Sequence, residues 1–206
     1  MNIIGKYYYT ICEKQSFAGV QPNLTERMVR VHELAVHNNV TRIYSGQGID
    51  AYVVKTDKFK TNSINIFFHD NLSRDTASLN ALVPSVLRRG CERFKTFREI
   101  ALYLEELYGA SFDCGVTKKG EHHIIQFYTE FVSDKYTGKN TNNFEKAFDL
   151  MYEIINKPVV ENGFFNEEYV RQEKENLIKL INSRINDKVQ YAVEKCYEEM
   201  CSEEPF

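Results

Sequence analysis

The sequence has no tryptophan, only four prolines and ten glycines in 206 residues. A chain so poor in both turn formers is neither collagen-like nor low in complexity. Bulky apolar surface must come from its 14 phenylalanines and 13 tyrosines, enough for a core without disulfides or metals. The cysteines (Cys12, Cys91, Cys114, Cys196, Cys201) are odd in number and scattered. That excludes a disulfide framework and points to a reducing, cytoplasmic setting, with the thiols read as small buried side chains. No apolar run approaches the ~18 residues of a membrane span, and no basic segment leads into an apolar one at the start. Neither membrane anchor nor signal peptide is expected. Charge of one sign is also missing: 26 Lys and Arg stand against 29 Asp and Glu, a formal net charge of -3. Nothing there suggests a nucleic-acid partner.

Metal-ligand spacing is absent too. A helical zinc motif needs two histidines four residues apart, so that both rings reach one ion. The five histidines are His32, His37, His69, His122 and His123. His32 and His37 are five apart, about 140° around a helix axis. His122 and His123 are neighbours on an expected strand, so their rings point to opposite faces. Cys196 and Cys201 fail on the same helical geometry. There is no serine elbow, and Gly46-Gln47-Gly48 lacks the third glycine and the helix of a dinucleotide site. No cofactor or metal is expected.

What is present is a change of period along the chain. Residues 1–48 read as an N-terminal extension, with one candidate amphipathic helix over Arg27–Val36 and a turn at Ser45–Gly48. Ile49–Lys55 and Ser63–His69 read as strands, the second with Ile64, Ile66 and Phe68 on one face. Ser73 can cap a helix to Arg89, with Gly90 as its left-handed stop and Pro84 expected to kink it. Thr96-Phe97-Arg98-Glu99 is a capping box opening a helix to Gly109. Two strands follow, Ala110–Thr117 and Glu121–Val132, joined at Lys118-Lys119-Gly120. Helices are expected over Phe144–Asn156, from an Asn166 cap to about Asn182, and on to about Cys201. Grouped hairpins and helices predict an α+β fold: an antiparallel sheet with helices packed on one face.

Several segments then resemble the insulinase (pitrilysin-type) peptidase family. They are Leu82–Gly90, Phe94–Ile100, Tyr103–Ala110 and Lys119-Gly120-Glu121-His122-His123. The family has a His-x-x-Glu-His helix, a glycine shortly after it, a Thr-x-x-Glu helix and a hairpin. The likeness covers 49–206, and implies an insulinase-like domain there, the first of two in a longer protein. Anchored on Gly90, the family's first histidine falls on Ala81, its general-base glutamate on Pro84 and its second histidine on Ser85. The third ligand, a glutamate of the long helix, falls on or near Leu180. Ala81 and Leu180 have no ligand atom, Ser85 is a poor zinc ligand and Pro84 has no carboxylate. Thr56–Asn62, Asn156–Gly163 and Glu198-Glu199-Met200-Cys201 look most like a bacterial subgroup associated with aminopentanol modification of elongation factor P.

The resemblance implies an inactive homologue, a pseudo-peptidase subunit. Its partner would be a homologue with an intact zinc motif, and its substrate a peptide or protein. A second reading keeps a zinc endopeptidase, with His122 or His123 joined by remote carboxylates. A third is a scaffold that adds an extended peptide to a sheet edge.

Overall fold

A computed structural model describes residues 6–12, 34–37, 40–46, 48–56, 58–138 and 141–203. For 6–12 and 34–37 only the backbone is described. Among the described residues seven strands form one sheet: β1 (Lys6–Cys12), β2 (Leu34–His37), β3 (Val40–Gly46), β4 (Ile49–Val54), β5 (Thr61–Asn71), β6 (Ser111–Lys119) and β7 (His122–Val132). Their order is β2-β3-β4-β1-β5-β7-β6. Every pair is antiparallel except β1 with β4, which run parallel. The helices are α1 (Arg74–Leu87), α2 (Phe97–Glu106), α3 (Asn143–Asn156), α4 (Glu167–Ser183) and α5 (Lys188–Met200). The expected α+β class is the one observed.

The region before residue 49 departs from its sequence reading. Leu34–His37 is a strand, so the helix expected to reach Val36 is not formed there. Residues 27–33, and His32 with them, lie outside the described residues. Strands β1 to β3 share the sheet of β4 to β7. The helical pattern misled because a short segment of mixed apolar residues fits either period, and pairing with β3 decides between them.

From residue 49 on, local chemistry explains most element ends. The Ser73 side chain accepts from Asp75 N, opening α1. Both halves of the Thr96–Glu99 capping box are made, opening α2. Asp134 caps α3, accepting from the amides of Asn143 at 2.5 Å and Phe144 at 3.2 Å. Asn166 accepts from Tyr169 N at 3.0 Å and starts α4. A 3-10 turn, Arg184–Asn186, separates α4 from α5. A small hairpin missing from the sequence reading, β8 (Val160–Glu161) with β9 (Phe164–Phe165), turns at Asn162 and Gly163 with φ of 53° and 83°. Asn-Gly is the strongest short signal for such a turn.

The core lies between one sheet face and the helices. Alternate residues Ile64 and Ile66 of β5 and Phe127 and Phe131 of β7 meet Leu87 of α1, Ile100 of α2 and Leu150, Met151 and Ile154 of α3, all buried. Phe127 sits edge-on to Phe68 at 5.8 Å and stacks near Phe112 at 6.5 Å. Burying each such side chain contributes roughly 1.5–3 kcal/mol. Strand period 2 sends the intervening residues to the opposite face, where Gln126 donates to Asn65 at 3.0 Å and Tyr128 to Glu130 at 2.7 Å.

Gly90 is a glycine for a different reason than expected. Its φ is not left-handed, and α1 ends in a right-handed cap at Arg88. A Cβ there would lie 2.5 Å from the Lys95 carbonyl oxygen and 2.9 Å from that of Phe94. The loop folds back onto the helix end, with Cys91 N donating to Phe94 O at 2.7 Å. Gly90→Ala should therefore overpack this turn and lower stability by about 1–3 kcal/mol. Equilibrium denaturation with an unchanged m-value would show it, and a wild-type midpoint would refute it.

Candidate functional site

The positions singled out in the sequence lie on α1 and α4. Ala81, Pro84 and Ser85 occupy two adjacent turns of α1, which packs against β6, β7 and α4. Strand β6 forms one edge of the sheet. Pro84 is buried inside the helix, which runs from Arg74 to Leu87 without interruption. Proline cannot donate to the Asn80 carbonyl. The Asn80 side chain is anchored, donating to Asp70 at 2.8 Å. The Pro84 carbonyl accepts twice, from Arg88 N at 3.0 Å and from the Cys114 thiol of β6 at 3.2 Å. The space beside the expected general-base position is thus closed by a thiol, and proline binds the helix to the edge strand.

Cys114 is not poised as a nucleophile. Burial pushes its thiol up to about 11, only partly opposed by Arg88. Thiolate is the reactive form, and it becomes substantial only as pH nears that value. Cys91 is buried, while Cys196 and Cys201 are exposed, contrary to the sequence reading of both as buried. Both follow from α5 having little packed upon it. Alkylation at pH 8 should mark Cys196 and Cys201 quickly and leave Cys91 and Cys114 unmodified, as read by peptide mass spectrometry. Rapid marking of Cys114 would contradict this placement.

Leu180 stands apart from these residues. It is 64% exposed, on the C-terminal half of α4. Helix α4 meets the end of α1 two turns earlier, where Arg89 directs Nε and Nη2 at one carboxylate oxygen of the buried Glu173. The Arg89 guanidinium also lies 6.0 Å from the Tyr169 ring, and Tyr169 OH donates to Lys95 O at 3.1 Å. Sequence reasoning passed over this clamp. The double arginine before Gly90 and the charged run at 173–175 were its visible traces, but only folding brings them together. Arg89→Met should cost about 3–5 kcal/mol by stranding the Glu173 carboxylate, and Arg89→Met/Glu173→Leu should recover most of it. Additive losses in this double-mutant cycle would disprove the coupling.

Among the described residues, His69, His122 and His123 do not converge on one point. His122 lies on the open sheet face, with its ring centroid 6.4 Å from that of His69. Desolvation, then the neighbouring His122 and Lys119, hold the His69 pKa below its ordinary value. His123 is on the helix-covered face, paired across the strands with Asp70. It is buried, and its Nδ1 has no hydrogen-bond partner. Among the described residues no three His, Cys, Asp or Glu side chains come together around one metal position.

Two hollows flank this region. One, of about 260 Å³, lies on the open face over Gly115, between Asp113, Thr117, Gln126 and Tyr128. Tyr128 stays a phenol, pushed up to about 12 mainly by donating to the Glu130 carboxylate. The other, of about 440 Å³, lies between sheet and helices and is lined by Ile66, Phe68, Val83, Phe148 and Tyr152 among others, with no Asp, Glu, His, Lys or Arg among the described residues. No helix among the described residues is long and apolar enough to cross a membrane.

No family model matches the chain. It is 37% identical over 159 residues to a protein of Bacillus subtilis (strain 168) described as "Probable inactive metalloprotease YmfF", a match covering 77% of this chain and 37% of that protein. It is also similar to a solved structure, the crystal structure of a conserved protein from Enterococcus faecalis V583. There the TM-score is 0.65 and the identity 32%, over 69% of this chain and 33% of the other. The chain therefore spans about a third of the length of either relative. The chain is thus related to metallopeptidase-like proteins, through a relative that is itself described as probably inactive.

Proposed function

We propose that this chain is a non-catalytic, peptidase-shaped subunit of the insulinase type, which binds a peptide or protein segment and pairs with a zinc-bearing homologue. One observation carries the reading. The helix beside the edge strand carries Ala81, Pro84 and Ser85 where the resemblance aligns the family's metal and general-base residues, and the Pro84 carbonyl is tied to Cys114. None of these can activate water or hold zinc as the family's residues do.

Edge strand β6 offers the binding surface. An edge presents unpaired N–H and C=O groups that an extended peptide can extend as a further strand. Gly115 leaves the adjoining hollow open, since nothing lies within 4 Å of where its Cβ would be. That hollow is large enough to receive a side chain of the added strand. The unpaired cysteines agree with work in a reducing cytoplasm. On this reading the chain, with β1 to β3 included in its one sheet, acts as the first domain of a longer protein that works alongside a modification pathway for elongation factor P, as the subgroup resemblance implies. An atypical zinc site is not favoured, because His122 and His123 face opposite sides of the sheet.

The test mixes the protein with a homologue carrying intact His-x-x-Glu-His at about 10 μM, a range suited to ordinary protein interfaces. Light scattering should find a one-to-one complex. Fluorescently labelled unfolded casein should bind, and Gly115→Leu should weaken that binding about tenfold, or 1.4 kcal/mol, without weakening the complex. Failure to associate overturns the pairing, and an unaltered casein affinity overturns the β6 assignment.

A further inference from the structure

Register decides which groups border the hollow over Gly115. Leu72 N donates to Glu121 O and Ser133 N to Lys60 O, at the two ends of the β5–β7 ladder. In an antiparallel pair, hydrogen-bonded and non-hydrogen-bonded positions alternate. The odd-numbered residues of β7 therefore bond to β5, and the even-numbered ones to Asp113, Gly115, Thr117 and the other odd positions of β6. Cys114 and Val116 turn their backbone groups the other way, and no described strand lies beyond them. Both also line the hollow, which is thus continuous with the free edge of β6. The lining accepts hydrogen bonds and hardly donates them. Tyr128 gives its one proton to Glu130 at 2.7 Å, so its oxygen can only accept. Gln126 turns its amide nitrogen to Asn65 at 3.0 Å. Asp113 carries a carboxylate, and no Lys, Arg or His is among the described lining residues. That carboxylate is loosely held. One oxygen accepts from Cys114 N at 2.9 Å and lies 3.7 Å from Arg88 Nη1, and the Asp113 side chain is 73% exposed. An exposed pair of this kind contributes little.

We infer, resting on the reading of β6 as the peptide-binding edge, that the hollow selects a basic side chain (lysine or arginine) of the added strand. The side chain's cation donates to the Asp113 carboxylate, the Tyr128 oxygen and the Gln126 carbonyl. An ammonium or guanidinium brings only donors, the complement of this lining. The long aliphatic stem of such a residue lies over Gly115, where a Cβ would meet nothing within 4 Å. A glutamate there would meet acceptors and the like charges of Asp113 and Glu130. An apolar side chain would strip water from the acceptors and give nothing back. The cation also serves the edge itself. Cys114 N points to the free edge, yet Asp113 occupies it. Drawing the carboxylate onto the cation releases that amide to bond the incoming strand.

The test uses the 206-residue chain and labelled Thr- and Val-rich peptides with blocked termini. The peptides differ only in a central lysine, norleucine or glutamate, and fluorescence anisotropy reads their binding. The lysine peptide should bind about tenfold more tightly than the norleucine peptide at low salt, and the glutamate peptide more weakly than either. Asp113→Asn should cut the lysine advantage to about twofold, and added salt should shrink it in the wild type. An unchanged unfolding midpoint checks that this exposed substitution leaves the fold intact. Equal affinity for the three peptides, still weakened by Gly115→Leu, overturns the inference while the β6 reading stands. A lysine advantage that survives Asp113→Asn also overturns it. Absence of binding by all three at about 200 μM, or binding indifferent to Gly115→Leu, overturns the β6 reading and the inference with it.

Discussion

The close approach at Gly90 is the constraint on which the helical layer depends. With no Cβ between them, the end of α1 and the Lys95 carbonyl come within contact distance. That contact sets the path of residues 91–95 and hence the point where Thr96 begins α2. It also aims two consecutive side chains outward: Arg89 reaches the buried Glu173 of α4, and Arg88 lies over the Phe97 ring at 5.7 Å. Tyr169 closes the arrangement by donating to the same Lys95 carbonyl. Three helices are thus positioned by one glycine, and an arginine–glutamate pair holds the result where burial makes a lone charge costly.

The candidate site is organised around the same helix but by opposite means. A metal helix needs side chains that project ligand atoms into open space. Here the stretch that the resemblance aligns with such a helix is packed at its centre, while Ala81 and Ser85 are half-buried. Pro84 is buried, its carbonyl is shared between Arg88 and Cys114, and Asn80 is tied to Asp70. The interactions that would be hostile to catalysis are favourable to packing. This agrees with kinship to a protein described as a probable inactive metalloprotease, of which the chain spans 37%.

Much of the fold after residue 49 was legible because local rules and tertiary structure agree there. The Thr96–Glu99 capping box, the Ser73 and Asn166 caps and the β5 alternation each act over a few residues, and each is realised. Before residue 49, strand identity depends on partners far along the chain, as in the register Tyr9↔Ile66, and no local pattern announces that. The reason for Gly90 was hidden in the same way, since a close approach leaves no trace in spacing. Of the site, the spacing of the histidines was readable at once. The Cys114–Pro84 contact and the Arg89–Glu173 clamp, 30 and 84 residues apart in sequence, were not. The β8–β9 hairpin is different, because Asn162-Gly163 stood in view and carried its own turn chemistry.

The place of β1 has a mechanical consequence. Strands β4 and β5 follow one another in sequence yet do not pair, because β1 lies between them. On one side of it stand β2, β3 and β4, and on the other β5, β7 and β6, so each half of the sheet is three strands wide. Residues 6–12 are therefore the keystone of a seven-strand surface, bonded parallel to one half and antiparallel to the other. During synthesis these residues leave the ribosome before β4 and β5, the two strands that flank them, and cannot be fully seated until both exist. Sliding or withdrawing this one strand would divide the sheet along its midline and leave each half with a new unpaired edge.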